Sequence, residues 1–261
     1  MEVTQSGNRV EVCGVTAICL ELRKLQRKHL LPITLAFLAV ELLWLWSGLA
    51  RRVGADIDYR GVLFQLPSLN AIFLPMLSTI IMSTVCDIES PGNMYKELLT
   101  LQTPQGLFRA KWGVAALALG ALTAIHTALV LALLKTLGLD ALPDAGTIIL
   151  YWVSTYAVCL LMATLVQALC FGAHGQFVPL VFGVALSFLG LFSLYLPTAL
   201  AHLVPSSYFG LLSTVGMNYD QGLGQMSFYM RAWSVPDFLI VVALSAVSYV
   251  LSCRAFVRKE L

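Results

Sequence analysis

The chain has 261 residues, of which 59% are hydrophobic and only 11% are charged, and its formal net charge is +2. A soluble globular domain carries about 25% charged residues, and a disordered chain is polar and rich in charge, so this composition excludes both classes. The small net charge gives no support for nucleic-acid binding, and most of the chain is predicted to lie in lipid.

The N-terminal segment, residues 1–30, is predicted to lie in the cytoplasm and to contain an amphipathic helix over 15–30. At 100° per residue, Val15, Leu22 and Leu25 fall on one face and the basic side chains fall on the other. A basic amphipathic helix directly before a span is typical of a helix that lies in the membrane interface. The alternative is a plain anchor that follows the positive-inside bias.

Six apolar stretches follow, each about the 20 residues that an α-helix needs to cross the hydrocarbon core. Their length favours helices over the alternating strands of about ten residues in an outer-membrane barrel. We therefore predict an all-α transmembrane domain over residues 31–253. The six predicted spans are 31–49, 67–86, 112–134, 148–170, 177–196 and 235–253.

Two polar side chains interrupt these spans. Glu41 is about 15 Å into the first span, and His126 is about 21 Å into the third, at 1.5 Å per residue. An ionisable residue inside a membrane is a functional hypothesis by default, and we expect Glu41 to face the bundle interior or a subunit interface. The alternatives are a neutral Glu41 that only bonds a neighbouring helix and a His126 that is a packing residue.

The loop between the second and third spans, residues 87–111, has a pattern of its own. Ser90 and Pro91 provide a cap followed by a proline at the first helical position, and Pro104 ends the helical pattern. This predicts a short helix over 90–101 whose apolar face can dock in a groove of another protein. Packing of that face on its own bundle or on lipid stays open. The apolar stripe consists of Met94, Leu98 and Leu101.

The long segment 197–234 is predicted to be extracellular, and the tail 254–261 cytoplasmic. The segment 197–234 is rich in aromatic residues, which suits an interfacial belt, and Ser207–Val215 within it suits a re-entrant helix. With both ends inside, 11 Lys and Arg residues lie in cytoplasmic segments and 5 lie outside, which favours this orientation.

Motifs for common catalytic chemistry are not found in the sequence. It has no Walker phosphate loop, no HExxH or paired CxxC zinc motif and no GxSxG elbow. ATP binding by this route, a metal site and a serine hydrolase therefore have no sequence support.

The complete layout resembles the ABC-2 class of ABC-transporter permeases. The stretch 89–99, followed by Pro104 and Lys111, is similar to the loop of lantibiotic-immunity permease subunits. Those proteins show an acidic residue, an aromatic residue, paired leucines, a proline turn and a lysine before the next helix. Tyr95 stands where a tryptophan is expected, which is a departure from the pattern.

The resemblance implies a six-helix permease with an N-terminal interfacial helix and a cytoplasmic coupling helix, in the bacterial cytoplasmic membrane. It would export a lantibiotic or related antimicrobial peptide from the membrane, giving self-immunity. No cofactor is implied for this chain, because ATP and magnesium would be bound by a separate ATPase dimer. A second permease chain, similar or identical, would complete the pathway. The implied ATPase-coupling residues are Glu89, Met94, Tyr95, Leu98, Leu99 and Leu101.

Three other functions remain open at the level of the sequence. An ion-coupled secondary transporter would use Glu41 and His126 and would work without an ATPase. A membrane-embedded enzyme would lose activity on a single Glu or His substitution. An ABC-2 permease for a drug or a lipid-linked cargo would share every feature above, because apolar spans carry little information about cargo.

Overall fold

The computed structural model describes residues 5, 6, 9, 10, 22, 24, 30–50, 58–88, 103–137, 142–172, 176–220 and 225–260. Two short strands, β1 (Gln5–Ser6) and β2 (Arg9–Val10), pair antiparallel near the N-terminus. Most of the remaining described chain is helical. The helices are α1 (Leu30–Ala50), α2 (Tyr59–Asp87), α3 (Pro104–Thr136), α4 (Ala145–Gly172), α5 (Phe177–Ser193), α6 (Thr198–Ala201), α7 (Tyr208–Leu211) and α8 (Val235–Glu260), with a 3₁₀ turn at Pro205–Ser207.

Each of the six predicted spans coincides with one long apolar helix, namely α1 to α5 and α8. Five of these helices are long and apolar enough to cross a membrane, which supports a multi-pass membrane protein. The exception is α5, which has 17 residues and ends at Ser193 instead of residue 196. A count of six crossings therefore stays a prediction.

The start of α3 differs from the prediction. The helix begins at Pro104, with the Thr103 hydroxyl accepting a hydrogen bond from the Gly106 amide. Proline at the first helical position loses no helix hydrogen bond there, so Pro104 opens α3. Residues 104–111, assigned to the coupling loop from the sequence, belong to α3. Lys111 lies inside the helix and does not open it.

Two ends of the bundle can be distinguished by contacts. At the "loop end", where α2 ends and α3 begins, the Gln176 amide donates to Asp87 Oδ2 at 2.7 Å and so joins the start of α5 to the end of α2. At the opposite "hairpin end", strands β3 (Val215–Asp220) and β4 (Gln225–Met230) form an antiparallel hairpin.

The hairpin was not predicted from the sequence. Its Phe228 packs on Phe64 of α2, with ring centroids 5.6 Å apart. Just after the hairpin, the Trp233 indole donates to Ser154 of α4 at 2.9 Å. The strand pair thus packs on the start of α2, the residue after it reaches α4, and the described chain is helical with two short antiparallel strand pairs instead of purely α.

The segment between α5 and the hairpin folds back into the bundle. The Ser206 hydroxyl donates to the Leu186 carbonyl of α5 at 2.6 Å, and the Tyr208 hydroxyl donates to the His202 carbonyl at 3.1 Å. Tyr208 and Phe209 are buried, so these two aromatic residues are interior and do not belong to an interfacial belt. Short helices are present at 198–201 and 208–211, whereas 215–220 is a strand.

The core lies around α2 and α4, and the outer faces of α1, α5 and α8 are apolar and exposed. Examples are Trp44 on α1, Phe188 on α5 and Leu251 on α8, each more than half exposed. In water such surfaces would be unfavourable, whereas in a bilayer they contact lipid chains.

Close packing of α5 on α2 depends on Gly183. A Cβ at this position would lie 2.6 Å from Thr79 Cβ, well inside van der Waals contact. Pro75 of α2 has no amide hydrogen to pair with the Ala71 carbonyl. That carbonyl faces Gly190 of α5, and a Cβ added at Gly190 would lie 3.1 Å from the carbonyl oxygen. Glycines therefore let α5 approach the proline-containing part of α2, as small residues do in membrane helix pairs.

We expect Gly183→Ala to destabilise the protein by about 1–3 kcal/mol, because the added methyl group has to displace Thr79 or separate the helices. The measurement is thermal unfolding of the purified protein in lipid nanodiscs. Gly120→Ala in α3 is the matched control, since a Cβ there would lie 3.5 Å from the Tyr156 ring, an ordinary contact. Equal unfolding temperatures for the two variants would contradict the packing argument.

Candidate functional site

The coupling residues implied by the sequence lie outside the described residues. These are Glu89, Met94, Tyr95, Leu98, Leu99 and Leu101, together with the helix predicted over 90–101. The structure describes the two ends of this segment, where α2 ends and α3 begins.

Both ends of the segment are attached to the bundle by polar contacts, one buried and one part-buried. Lys111, fully buried in α3, donates from Nζ to the Val85 carbonyl of α2 at 2.8 Å. Asp87 at the end of α2 accepts from Gln176, as described above. A charge-assisted bond to a backbone carbonyl in an apolar interior is strong, so α2 and α3 are held together where the loop begins and ends.

An aromatic cluster continues from this point across the loop end. Phe108 of α3 lies 5.5 Å from Phe171 of α4 and 6.0 Å from Phe256 of α8, measured between ring centroids. The Gln167 amide of α4 also donates to the Phe108 carbonyl at 3.2 Å. A displacement applied at the start of α3 would therefore reach α4 and α8 through direct contacts.

The two intramembrane residues singled out from the sequence lie side by side. Glu41 Oε1 of α1 is 3.2 Å from His126 Nε2 of α3, and the side chains are 1% and 0% exposed. Glu41 Oε2 and His126 Nδ1 are buried and have no hydrogen-bond partner among the described residues. Between two helices in an apolar interior, such a pair both joins α1 to α3 and provides a place for a proton.

A second polar pair lies next to the first one. The Asn70 amide of α2 donates to the Tyr151 hydroxyl of α4 at 2.9 Å, and the Tyr151 ring is 6.3 Å from the His126 ring. Polar residues of α1, α2, α3 and α4 thus meet in one region of the bundle. Sequence reasoning missed Asn70 and Tyr151, although an Asn in an apolar helix is itself a signal that a partner is required.

A third polar contact lies at the hairpin end. His202 Nδ1 is 2.6 Å from the Thr198 carbonyl and His202 Nε2 is 2.9 Å from Asp237 Oδ1 of α8. A carbonyl and a carboxylate both accept, so the geometry is satisfied when both ring nitrogens carry protons. The hydrogen bonds that His202 donates to Asp237 and to the Thr198 carbonyl raise its pKa above the ordinary value.

Metal coordination has no support in the described part of the chain, where no group of three His, Cys, Asp or Glu side chains is placed to hold an ion. At the start of α4, the Thr147 hydroxyl donates to Asp144 at 2.5 Å and lowers the pKa of that carboxyl. This is a helix cap and not a site.

We expect His126→Leu to destabilise the protein by about 3–5 kcal/mol, because Glu41 would be left buried without its partner. The double variant Glu41→Leu/His126→Leu should recover most of this loss, since an apolar pair satisfies the same space. Thermal unfolding in lipid nanodiscs measures both. A double variant that is no more stable than the single one would show that the two residues do not act as a pair.

We expect the stability of the wild-type protein to depend on pH through His202. Its pKa is raised in the folded state, so its contribution is present in full below the ordinary value of about 6.5 and is lost as pH rises through the raised value. In His202→Gln that part of the pH dependence should disappear. Unfolding temperatures recorded from mildly acidic to mildly alkaline pH test this, and a parallel decline in both proteins would contradict it.

Most of the chain matches the model of a known protein family. The model of a family described as "ABC-2 family transporter protein" matches residues 17–190, about two thirds of the sequence. The match extends from the N-terminal segment through α4 and into α5. No curated protein matches the chain at a significant level.

Proposed function

Because this chain belongs to the ABC-2 family of transporter proteins, we propose that it exports a lantibiotic or related antimicrobial peptide and is driven by a separate ATPase. Members of this family are membrane permease subunits of ABC exporters and not enzymes themselves, and the apolar helices of this chain suit such a subunit. The family match over residues 17–190 is the observation that carries the transporter part of the proposal.

The coupling element of the proposal is the segment 90–101. An ATPase dimer would bind it from the cytoplasmic side, holding the ATP and magnesium, with Glu89, Tyr95 and Leu98 among the contacts. Support comes from the two ends of the segment, because Lys111 and Asp87 hold α3, α2 and α5 together there. Force on a loop whose two ends are bonded to helices displaces those helices, whereas a loosely attached loop would move without displacing them.

The transport step follows from the same connections. ATP binding closes the ATPase pair and displaces the coupling segment, and the start of α3 carries the displacement through Phe108 to α4 and α8. The helices then switch between two packed arrangements as rigid elements. A second permease chain, similar or identical, supplies the other half of the pathway in the bacterial cytoplasmic membrane, with both termini in the cytoplasm.

The proposed cargo rests on the loop pattern at 89–99. A peptide that acts on the membrane surface would be taken from the outer leaflet or the surface itself. The segment between α5 and α8, with its buried Tyr208 and its hairpin, is the described part of the chain nearest to such a cargo if the predicted orientation holds. A drug or a lipid-linked sugar is the competing cargo within the same family.

We expect Leu98→Asp to abolish co-purification of the ATPase, because a carboxylate on the apolar face of the coupling helix opposes docking in an apolar groove. Cells that carry the variant should also lose their survival advantage in the presence of the lantibiotic. The matched control is Leu142→Asp, which introduces the same charge at an exposed leucine between α3 and α4.

Full ATPase recovery with Leu98→Asp would overturn the coupling assignment. Lost co-purification with unchanged survival would overturn the cargo and leave the coupling intact. Cysteine labelling of Ser90→Cys only from outside the cell would reverse the orientation and refute both. Membrane insertion of each variant is checked by extraction with detergent but not with alkali.

A further inference from the structure

A small polar cavity opens between α2, α4 and residues 209–214 at the hairpin end. Its volume is about 20 Å³, and a cavity of more than about 10–15 Å³ can hold one water molecule. A water also needs two to four polar partners, and six of the residues that line the cavity carry polar side chains. The polar side chains that line it are Asn70, Tyr151, Ser154, Thr155, Ser213 and Thr214.

Asn70 is the side chain that most requires this water. It is 1% exposed, its Nδ2 donates to the Tyr151 hydroxyl at 2.9 Å, and its Oδ1 has no partner among the described residues. An unpaired amide oxygen in an apolar interior costs about 1–3 kcal/mol, which a bound water removes. The cavity is therefore a one-water site next to the Asn70–Tyr151 pair.

Tyr151 lies between this cavity and the Glu41–His126 pair. Its hydroxyl lines the cavity, and its ring is 6.3 Å from that of His126. Beyond it, His126 Nδ1 and Glu41 Oε2 are two further buried polar atoms without a partner in the described part of the chain. Tyr151 is thus the residue that lines the cavity and also lies beside the Glu41–His126 pair.

The number of protons that the Glu41–His126 pair holds determines its net charge. A protonated Glu41 with neutral His126, or a carboxylate with imidazolium, gives a net charge of zero. Removing one proton from either form leaves a net charge of −1 in a low-dielectric interior, where an isolated charge is strongly unfavourable. The neutral pair thus holds one proton between Glu41 and His126, whichever atom carries it.

Two titratable side chains of the described residues have Glu41 as an electrostatic neighbour, and both lie on α4. Towards it, α4 presents Tyr151 and Cys159, a phenol and a thiol that are ordinarily neutral near pH 7. Nearby polar residues of α2 and α3 do not titrate; they are Asn70, Ser78, Thr123 and Thr127. These neutral groups leave the net charge of the pair to be set by Glu41 and His126 themselves.

We propose that Glu41 and His126 form an intramembrane proton-binding site, which exchanges its proton with the hairpin end through the water cavity at Asn70 and Tyr151. The site needs neither the ATPase nor the cargo, so it is independent of the proposed function. In this proposal Glu41 not only links two helices but also belongs to a site that takes up one proton from one side of the membrane.

The experiment is infrared spectroscopy of the purified full-length protein in lipid nanodiscs on transfer from H₂O to D₂O. The exchangeable proton gives a deuterium-sensitive carboxylic-acid or imidazolium band. Subtraction of the Glu41→Gln and His126→Gln spectra assigns that band to the pair. A wild-type protein without a band that depends on both residues would overturn the proposal.

The route is tested by the rate of exchange of that band. Asn70→Leu should slow it about tenfold or more, because the water loses a partner that held it in the relay. Tyr151→Phe keeps the ring and removes only the hydroxyl, so it should slow exchange even if Asn70→Leu does not fold. The matched control is Gln167→Leu, which removes a buried amide at the loop end and should leave the rate unchanged.

Slower exchange in Gln167→Leu together with unchanged exchange in Tyr151→Phe would place the entry at the loop end and overturn the proposed route. Loss of lantibiotic resistance or of ATPase binding has no effect on this readout. Failure of the proton site and failure of the exporter proposal can therefore be told apart.

Discussion

Hydrocarbon offers no hydrogen-bond partner to a polar group, and this one constraint explains most polar contacts in the bundle. Glu41 is 1% exposed and requires a partner within the protein, which comes from another helix. Asn70 finds Tyr151 and Lys111 finds the Val85 carbonyl in the same way. Each of these contacts joins two different helices, and the Glu41–His126 and Asn70–Tyr151 contacts join helices that are not consecutive in the chain.

The same contacts divide the molecule into two functional ends. At the loop end, Lys111, Asp87 and the aromatic cluster around Phe108 make α2, α3, α4, α5 and α8 move as connected elements. At the hairpin end, the contacts are smaller and include the titrating pair His202–Asp237. In the proposed exporter the ATPase would act at the loop end, where these contacts connect the helices.

The sequence was sufficient to predict the helices but not to predict which helices pack against each other. An apolar run of about 20 residues has few alternatives to a helix in a membrane, so all six stretches appear as helices. The start of α3 was misplaced because Arg109 and Lys111 interrupt the apolar window, and only the folded chain shows that the Val85 carbonyl satisfies Lys111. Burial of Glu41 followed from the cost of a lipid-facing carboxylate, whereas its pairing with His126, 85 residues away, depends on helix packing. The hairpin was missed because strand pairing is non-local, and the coupling residues 89–101 remain predictions.

The short helix α5 has a consequence for the surrounding lipid. Its 17 residues extend about 26 Å at 1.5 Å per residue, less than the 30 Å or so of an average hydrocarbon core. Its outer face, with Phe177, Phe188 and Phe192, is exposed over this whole length. If α5 crosses the bilayer as predicted, local thinning of the bilayer is one way to relieve a mismatch of this size. Phospholipids beside α5 would therefore be shortened and less well ordered, which makes this flank the place where a surface-bound amphiphile enters the acyl region most easily.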